Sequence, residues 1–139
     1  MWKYSNLKIV THAKVFYEGP VLSVQLKTKS GGQIVLQPNR SEFLSTIDIG
    51  KLIINPFGEN LETKVCSISD GIVYADESNI HIITNDIIFS DLIDINRAEK
   101  ERIETIERIK NTTDVEMLQH LEIKLKRSIN RIDISNQYN

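Results

Sequence analysis

The stretch Ile87-Ile88-Phe89-Ser90-Asp91-Leu92-Ile93-Asp94 divides the chain into two halves with different hydrophobic patterns. Before it, short apolar runs alternate with turn residues at fairly regular intervals, as in an all-β sandwich or barrel. After Ser90 there are no glycines or prolines, and apolar residues recur three and four positions apart between charged ones, which is typical of helices. The sequence therefore predicts a β-sandwich over residues 1–89 and an antiparallel two-helix hairpin over residues 90–139.

The first half contains apolar runs that we interpret as strands. They are residues 7–10, 15–17, 22–27, 33–36, 51–54, 63–68, 72–75 and 79–83. We expect turns at residues 18–20, 30–32, 55–58 and 69–71, the last closing a hairpin. In the third run Leu22, Val24 and Leu26 alternate with polar residues, which predicts that these three side chains point into a core.

The second half carries two apolar stripes at helical spacing. The first stripe is Leu92, Ile95, Ala98, Ile106 and Ile109, and the second is Leu118, Leu121, Leu125, Ile129 and Ile132. Between them, Thr113-Asp114-Val115-Glu116 matches the capping-box pattern of a helix start. Each helix should be roughly 17 residues long, or about 25 Å. Such narrow stripes bury little surface, so either the hairpin is docked permanently or its docking is conditional, with a second, extended state along another protein.

The bulk properties of the chain exclude several classes of function. Seventeen basic and nineteen acidic residues give a net charge of −2, and no basic patch suggests a nucleic-acid partner. The N-terminus lacks the apolar core of a secretory signal, and no segment approaches the roughly 18 apolar residues of a membrane-spanning helix. We therefore expect a cytosolic chain that reaches a membrane only through a partner. The single cysteine, Cys66, reads as a small core side chain.

No set of residues predicts catalysis or metal binding. His12, His81 and His120 are expected on a loop, a strand and a helix, with no pair at ligand spacing. A nucleophile elbow and a phosphate-binding glycine loop are both missing from the sequence, since Ser30-Gly31-Gly32 is too short and opens a strand. The acidic residues of the second half alternate with lysine and arginine, as on solvated helix faces.

The chain resembles the ATP synthase epsilon subunit family along nearly its whole length. Residues 7–19 resemble the family's opening strand pair, and Gly32-Gln33-Ile34-Val35-Leu36-Gln37-Pro38-Asn39 occupies the place of its Gly-Glu-Ile-Gly-Ile-Leu-Pro-Asn stretch. Ile93-Asp94-Ile95-Asn96-Arg97-Ala98 fits the signature Ile-Asp-x-x-Arg-Ala. Residues 125–131 resemble the ending Leu-Lys-Arg-Ala-x-Asn-Arg. The chain departs from the family at Arg40-Ser41-Glu42, where His-Ala-Pro is usual, which suits a divergent or paralogous rotary ATPase.

This resemblance implies a regulatory subunit without catalytic residues. Its partners would be the gamma subunit and the alpha and beta catalytic subunits, with the membrane ring as a further candidate, at the cytoplasmic face of the cell membrane. No cofactor is required, but some bacterial members bind ATP as a regulatory ligand. By matched position, the candidate ATP-binding residues are Asp94, Arg97, Ala98, Arg127 and Arg131. Arginine forks suit phosphate oxygens, although the same residues could equally be solvated or paired with helical carboxylates.

Two other functions remain open from the sequence. One is a stand-alone ligand-binding β-domain whose helical hairpin self-associates through Leu118, Leu121 and Leu125. The other is a small hydrolase, which the missing nucleophile, metal and glycine-loop signals disfavour.

Overall fold

Nine strands precede two long helices, and the computed structural model describes residues 1–139. The strands are β1 (Ser5–Val10), β2 (Val15–Thr28), β3 (Gly32–Leu36), β4 (Phe43–Ile47), β5 (Gly50–Pro56), β6 (Lys64–Ile68), β7 (Gly71–Ala75), β8 (Asn79–Thr84) and β9 (Ile87–Phe89). A 3₁₀ turn at Ser90–Leu92 leads to the helices α1 (Ile95–Lys110) and α2 (Val115–Tyr138). The chain divides into two units, Met1–Phe89 and Ser90–Asn139.

The first unit is a sheet that folds over on itself into two layers. The strand order is β1-β8-β7-β4-β2-β5-β6-β9, with β3 beside β2, and β1 also pairs with β2. Strand β2 is 14 residues long and belongs to both layers: residues 15–21 pair with β1, and residues 21–28 pair with β3 and β5. All these pairs are antiparallel except β1 with β8. The predicted fold class, a β-sandwich followed by two helices, is confirmed.

The core between the layers is almost entirely aliphatic. Its fully enclosed side chains include Leu7 and Ile9 on β1, Ile54 on β5 and Ile82 on β8. Burying each such side chain contributes roughly 1.5–3 kcal/mol to the free energy of unfolding, relative to an exposed position. The first unit therefore has a hydrophobic core of its own. Cys66 on β6 is 0% exposed within this core, which confirms its interpretation as a core side chain.

The expected turn at Glu18-Gly19-Pro20 is wrong, because β2 runs through it without a break. The expected core position of Leu22 is also wrong: its side chain is 49% exposed, whereas Val21 is buried. The cause is an irregularity in the pairing with β5 between Val21 and Ser23. An extra residue at a bulge reverses which side chains face inward, so the odd-numbered positions from 17 to 21 face the core before it and the even-numbered ones from 24 to 28 after it.

The expected hairpin at residues 69–71 is wrong as well. Strand β6 pairs with β5 and β9, whereas β7 pairs with β4 and β8, so Ser69 and Asp70 carry the chain from one layer to the other.

Two strands, β4 and β9, were not predicted. Strand β5 extends through Asn55 and Pro56, so the following turn begins at Phe57 and not at Asn55.

The second unit consists of α1 and α2, which pack on each other across a four-residue connection at 111–114 and are therefore antiparallel. Helix α1 has 16 residues, close to expectation, but α2 has 24 and extends well beyond it. The N-cap of α2 is Asp114, whose carboxylate accepts from the Glu116 amide, so the capping box starting at Thr113 is not formed. Ser128, Ile134 and Ser135 are buried, whereas Leu92 and Ile129 of the predicted stripes are exposed.

Candidate functional site

Three of the five predicted nucleotide-binding residues lie together at the start of α1. Asp94 is the N-cap, and its carboxylate oxygen Oδ1 accepts from the Arg97 amide at 3.1 Å. The Arg97 side chain is largely exposed and its Nε lies 3.5 Å from a carboxylate oxygen of Glu101, one turn further along. Ala98 is buried. An anion at this position would meet free amides of the helix start, but it would compete with Asp94 and Glu101 for them and for Arg97.

The other two predicted residues, Arg127 and Arg131, lie four positions apart on α2, so their side chains share one face of that helix. Both side chains are half-buried. The candidate ligands thus form two small groups, one on each helix, and each group contains the guanidinium groups that suit phosphate oxygens.

A second feature is an apolar outer face on the first unit. It lies on the solvent side of β4, β7, β8, β1 and the start of β2, where two neighbouring rows of side chains run across the strands. The apolar members of this outer face are Leu44, Ile72, Tyr74, Ile83, Val10 and Val15. Leu44 is 71% exposed and Ile83 is 61% exposed. Exposed apolar side chains grouped in this way make the outer face a candidate interaction site.

Sequence reasoning missed the outer face, although a signal was present. In a sandwich strand with one solvent-exposed face, every second residue should be polar. Ile72 and Tyr74 on β7 and Ile83 on β8 occupy those outward positions instead. These residues can be recognised as one surface only when the pairing register of β7 and β8 is known, and the apolar runs in the sequence do not give that register.

One edge of the outer face is closed by a hydrogen-bonded turn. Hydrogen bonds from the amides of Ser78 and Asn79 to Asp76 lower the pKa of the Asp76 carboxyl. Desolvation, followed by the nearby carboxylates of Glu42 and Asp76, raises the pKa of Tyr74. The phenol therefore keeps its proton at neutral pH, and its O–H donates a hydrogen bond to Oδ2 of Asp76 at 3.4 Å.

A third feature is a group of aromatic side chains at the end of the sandwich where β1 begins. The Tyr4 and Phe57 rings stack with their centroids 4.9 Å apart, and Trp2 is held by two hydrogen bonds between its backbone and the Asn39 amide group. Arg40 lies over the Phe43 ring at 4.8 Å. Exposed carboxylic residues surround this end in the same loops, namely Glu42, Glu59, Glu62 and Glu77. This loop end thus combines exposed rings with an acidic rim.

Neither unit contains three or more His, Cys, Asp or Glu side chains grouped so that they could hold a metal ion. His12, His81 and His120 lie on a loop, on β8 and on α2, as predicted. Neither α1 nor α2 combines the length and the hydropathy that crossing a membrane requires.

Comparison with known proteins links these features to one family. Residues 4–90 match the family model described as the ATP synthase delta/epsilon chain, beta-sandwich domain. The chain is 35% identical over 132 residues to the ATP synthase epsilon chain of Mycoplasmopsis pulmonis, covering 94% of this chain and 92% of the relative. It is 31% identical to the corresponding protein of Mycoplasmopsis synoviae, covering 96% of each. The chain belongs to the ATP synthase delta/epsilon chain family.

Solved structures agree on the fold of the chain. A chain from the mitochondrial ATP synthase of Euglena gracilis, in a structure of its OSCP, F1 and c-ring, superposes with a TM-score of 0.78 at 16% identity. The match covers 94% of this chain and 80% of that one. A chain of the Tetrahymena thermophila central stalk and c-ring gives a TM-score of 0.69 at 14% identity, covering 96% of this chain and 97% of the other. The family resemblance inferred from residues 93–98 and 125–131 is confirmed.

Proposed function

We propose that this chain is the epsilon subunit of an F-type ATP synthase or F-type-like rotary ATPase. In this role it binds the gamma subunit, turns with the central stalk beneath the alpha and beta subunits, and regulates ATP hydrolysis through its helical hairpin without catalysing a reaction. It would lie peripherally at the cytoplasmic face of the cell membrane as part of the complex. Family membership, with a curated relative that aligns over 94% of the chain, supports this role.

The single observation that carries the gamma-binding part of the proposal is the outer apolar face. A subunit that transmits rotation needs a permanent interface, and permanent interfaces are built around apolar surface that is fully covered in the complex. Ile72 and Ile83 are directly opposite each other on β7 and β8, and both are more than half exposed. We assign the outer face to the gamma subunit.

The loop end with Trp2 and Phe57 is a separate surface and is our candidate for contact with the membrane ring. Its aromatic side chains offer rigid contact area, and its acidic rim suits a partner with basic loops. Because Tyr4 and Phe57 are already stacked, little ordering is needed on binding.

Replacing Ile83 with aspartate tests the gamma interface. The side chain is 61% exposed, so the substitution should leave the fold intact while placing a charge in the covered face. We expect the affinity for purified gamma subunit, measured by titration calorimetry, to fall about 30-fold or more, the equivalent of about 2 kcal/mol. The matched control is Val35→Asp on β3, where the side chain is 50% exposed outside the outer face. Equal binding by wild type and Ile83→Asp would rule out this face as the interface.

ATP binding by the hairpin is a further part of the proposal, with Asp94, Arg97, Ala98, Arg127 and Arg131 as the candidate residues. Arg97 is a clean site for substitution because its ion pair with Glu101 is exposed, and such pairs within a helix contribute only about 0.3–0.5 kcal/mol. We expect millimolar ATP to raise the melting temperature of the isolated chain in a saturable way, and Arg97→Ala to abolish the shift. Arg102→Ala, which removes a partly buried pair with Glu99 on the same helix, is the control. A wild-type chain that ATP does not stabilise contradicts this part alone.

The alternative is a stand-alone binding domain that self-associates through its hairpin. Leu121 is buried in the single chain, and Leu118 and Leu125 are half-buried, so little of that stripe remains for a second copy. A pull-down from native extract separates the two functions: recovery of the alpha, beta and gamma subunits supports the rotary role, and recovery of this chain alone supports self-association.

A further inference from the structure

The two rows of the outer face differ in character: one carries polar side chains on β8, β1 and β2, and the row beside it is apolar. Tyr74, His81, Lys8 and Glu18 are consecutive cross-strand neighbours on β7, β8, β1 and β2. The adjacent row consists of Ile72, Ile83, Val10 and Val15 in the same strand order. A partner that covers the apolar row must therefore also cover, or lie directly beside, the ammonium group of Lys8.

Lys8 needs a counter-charge once its surroundings lose water. Its side chain is half-buried, with the aliphatic part on the sheet between His81 and Glu18. The chain contains ion pairs at Lys27, Arg97, Lys100 and Arg102, but Lys8 is not within 4.0 Å of any carboxylate oxygen. In the free chain, water solvates this ammonium group. Covering it without a partner would carry a desolvation penalty large enough to cancel much of the affinity of an ordinary interface.

We propose that the gamma subunit presents a carboxylate to Lys8, with the His81 imidazole as a second donor beside it. The inference rests on the proposed function, and it deepens it by stating the chemistry of the partner: an apolar segment interrupted by one aspartate or glutamate. The apolar row supplies the covered contact, and the carboxylate fixes the register of the partner along the strands because only one alignment satisfies Lys8.

Glu18 is the competing source of the counter-charge. It is opposite Lys8 in the β1–β2 register, but its side chain is exposed and its carboxylate is beyond 4.0 Å from the ammonium nitrogen. It lies on the side of Lys8 away from His81, toward the margin of the outer face. A carboxylate arriving from the partner is therefore better placed to meet both Lys8 and His81 than Glu18 is.

Whether one substitution at Lys8 weakens or strengthens binding to gamma shows whether gamma supplies the carboxylate. Lys8→Met keeps the length and the apolar stem of the side chain but removes the charge. If gamma supplies a carboxylate, the variant leaves that carboxylate buried without a counter-charge. The affinity for gamma in titration calorimetry should then fall at least tenfold. If gamma supplies none, the variant removes a desolvation cost and binds equally well or more tightly, which overturns the inference.

Two companion variants separate the remaining outcomes. Glu18→Gln should bind gamma as well as wild type or better, since it removes a like charge from beside the incoming carboxylate. A loss equal to that of Lys8→Met would identify Glu18 as the counter-charge and overturn the inference. Ile83→Asp tests the interface itself: if it weakens binding while Lys8→Met does not, the proposed function stands and only the partner carboxylate is rejected.

Discussion

Replacing Gly71 with alanine is expected to destabilise the β-sandwich by about 3 kcal/mol, near the upper end of ordinary overpacking. Gly71 is the first residue of β7, where the chain has just crossed from one layer to the other. A β-carbon there would overlap the carbonyl oxygen of Ile83 and lie 2.9 Å from the Cα of Thr84. Both are backbone atoms of the neighbouring strand, so no side-chain rotation can relieve the contact.

The surroundings of Gly71 resist adjustment because Thr84 is anchored. Its hydroxyl donates to the Asp70 carbonyl at 2.9 Å and lies within 3.4 Å of the Ser69 carbonyl. Moving β8 away would break these contacts. Urea unfolding of purified variants measures the effect, with Gly19→Ala as the control, since its β-carbon would come no closer than 3.9 Å to Tyr17. Indistinguishable stabilities of Gly71→Ala and wild type would show that the two strands separate more easily than the described contacts imply.

Removal of residues 90–139 is expected to raise ATP hydrolysis by the assembled motor about tenfold, the equivalent of a coupling free energy of about 1.4 kcal/mol. This follows if the hairpin stabilises an inhibited state, because deleting it leaves only the active population. The remaining residues 1–89 keep the whole aliphatic core and the outer face. The truncated subunit should therefore still assemble with gamma.

Co-purification controls this second experiment. The truncated chain must be recovered with gamma in the same amount as the full chain, so that a change in rate reports the missing hairpin and not a missing subunit. An unchanged rate in such a matched preparation would reject the inhibitory role while leaving gamma binding intact.

The fold was predictable where the pattern was long and regular. The change of period at Phe89-Ser90 separated strands from helices, and α1 came out near its predicted length. The errors occurred where one residue alters the geometry. The bulge near Leu22 reverses the inward side chains without any change in composition, and Ser69-Asp70-Gly71 has turn chemistry whether it closes a hairpin or joins two layers.

The candidate sites were predictable to different degrees. Asp94 and Arg97 could be located because their motif is local to one helix start. The outer face could not be located, because Leu44, Ile72 and Ile83 come together only through pairings of β4, β7 and β8. The cross-strand neighbours of Lys8, namely His81 and Glu18, are likewise set by the register with β8 and β2 and not by the residues beside Lys8 in the chain.

The length of β2 has a mechanical consequence. At about 3.3 Å per residue, a strand of this length extends for roughly 45 Å, and it is one continuous covalent backbone through both layers. A sideways load applied at Val15 or Glu18 is therefore carried into the opposite layer by bonds, whereas in a sandwich joined only by side-chain packing the layers could slide past each other. Such a strand therefore resists sliding of one layer of the β-sandwich past the other.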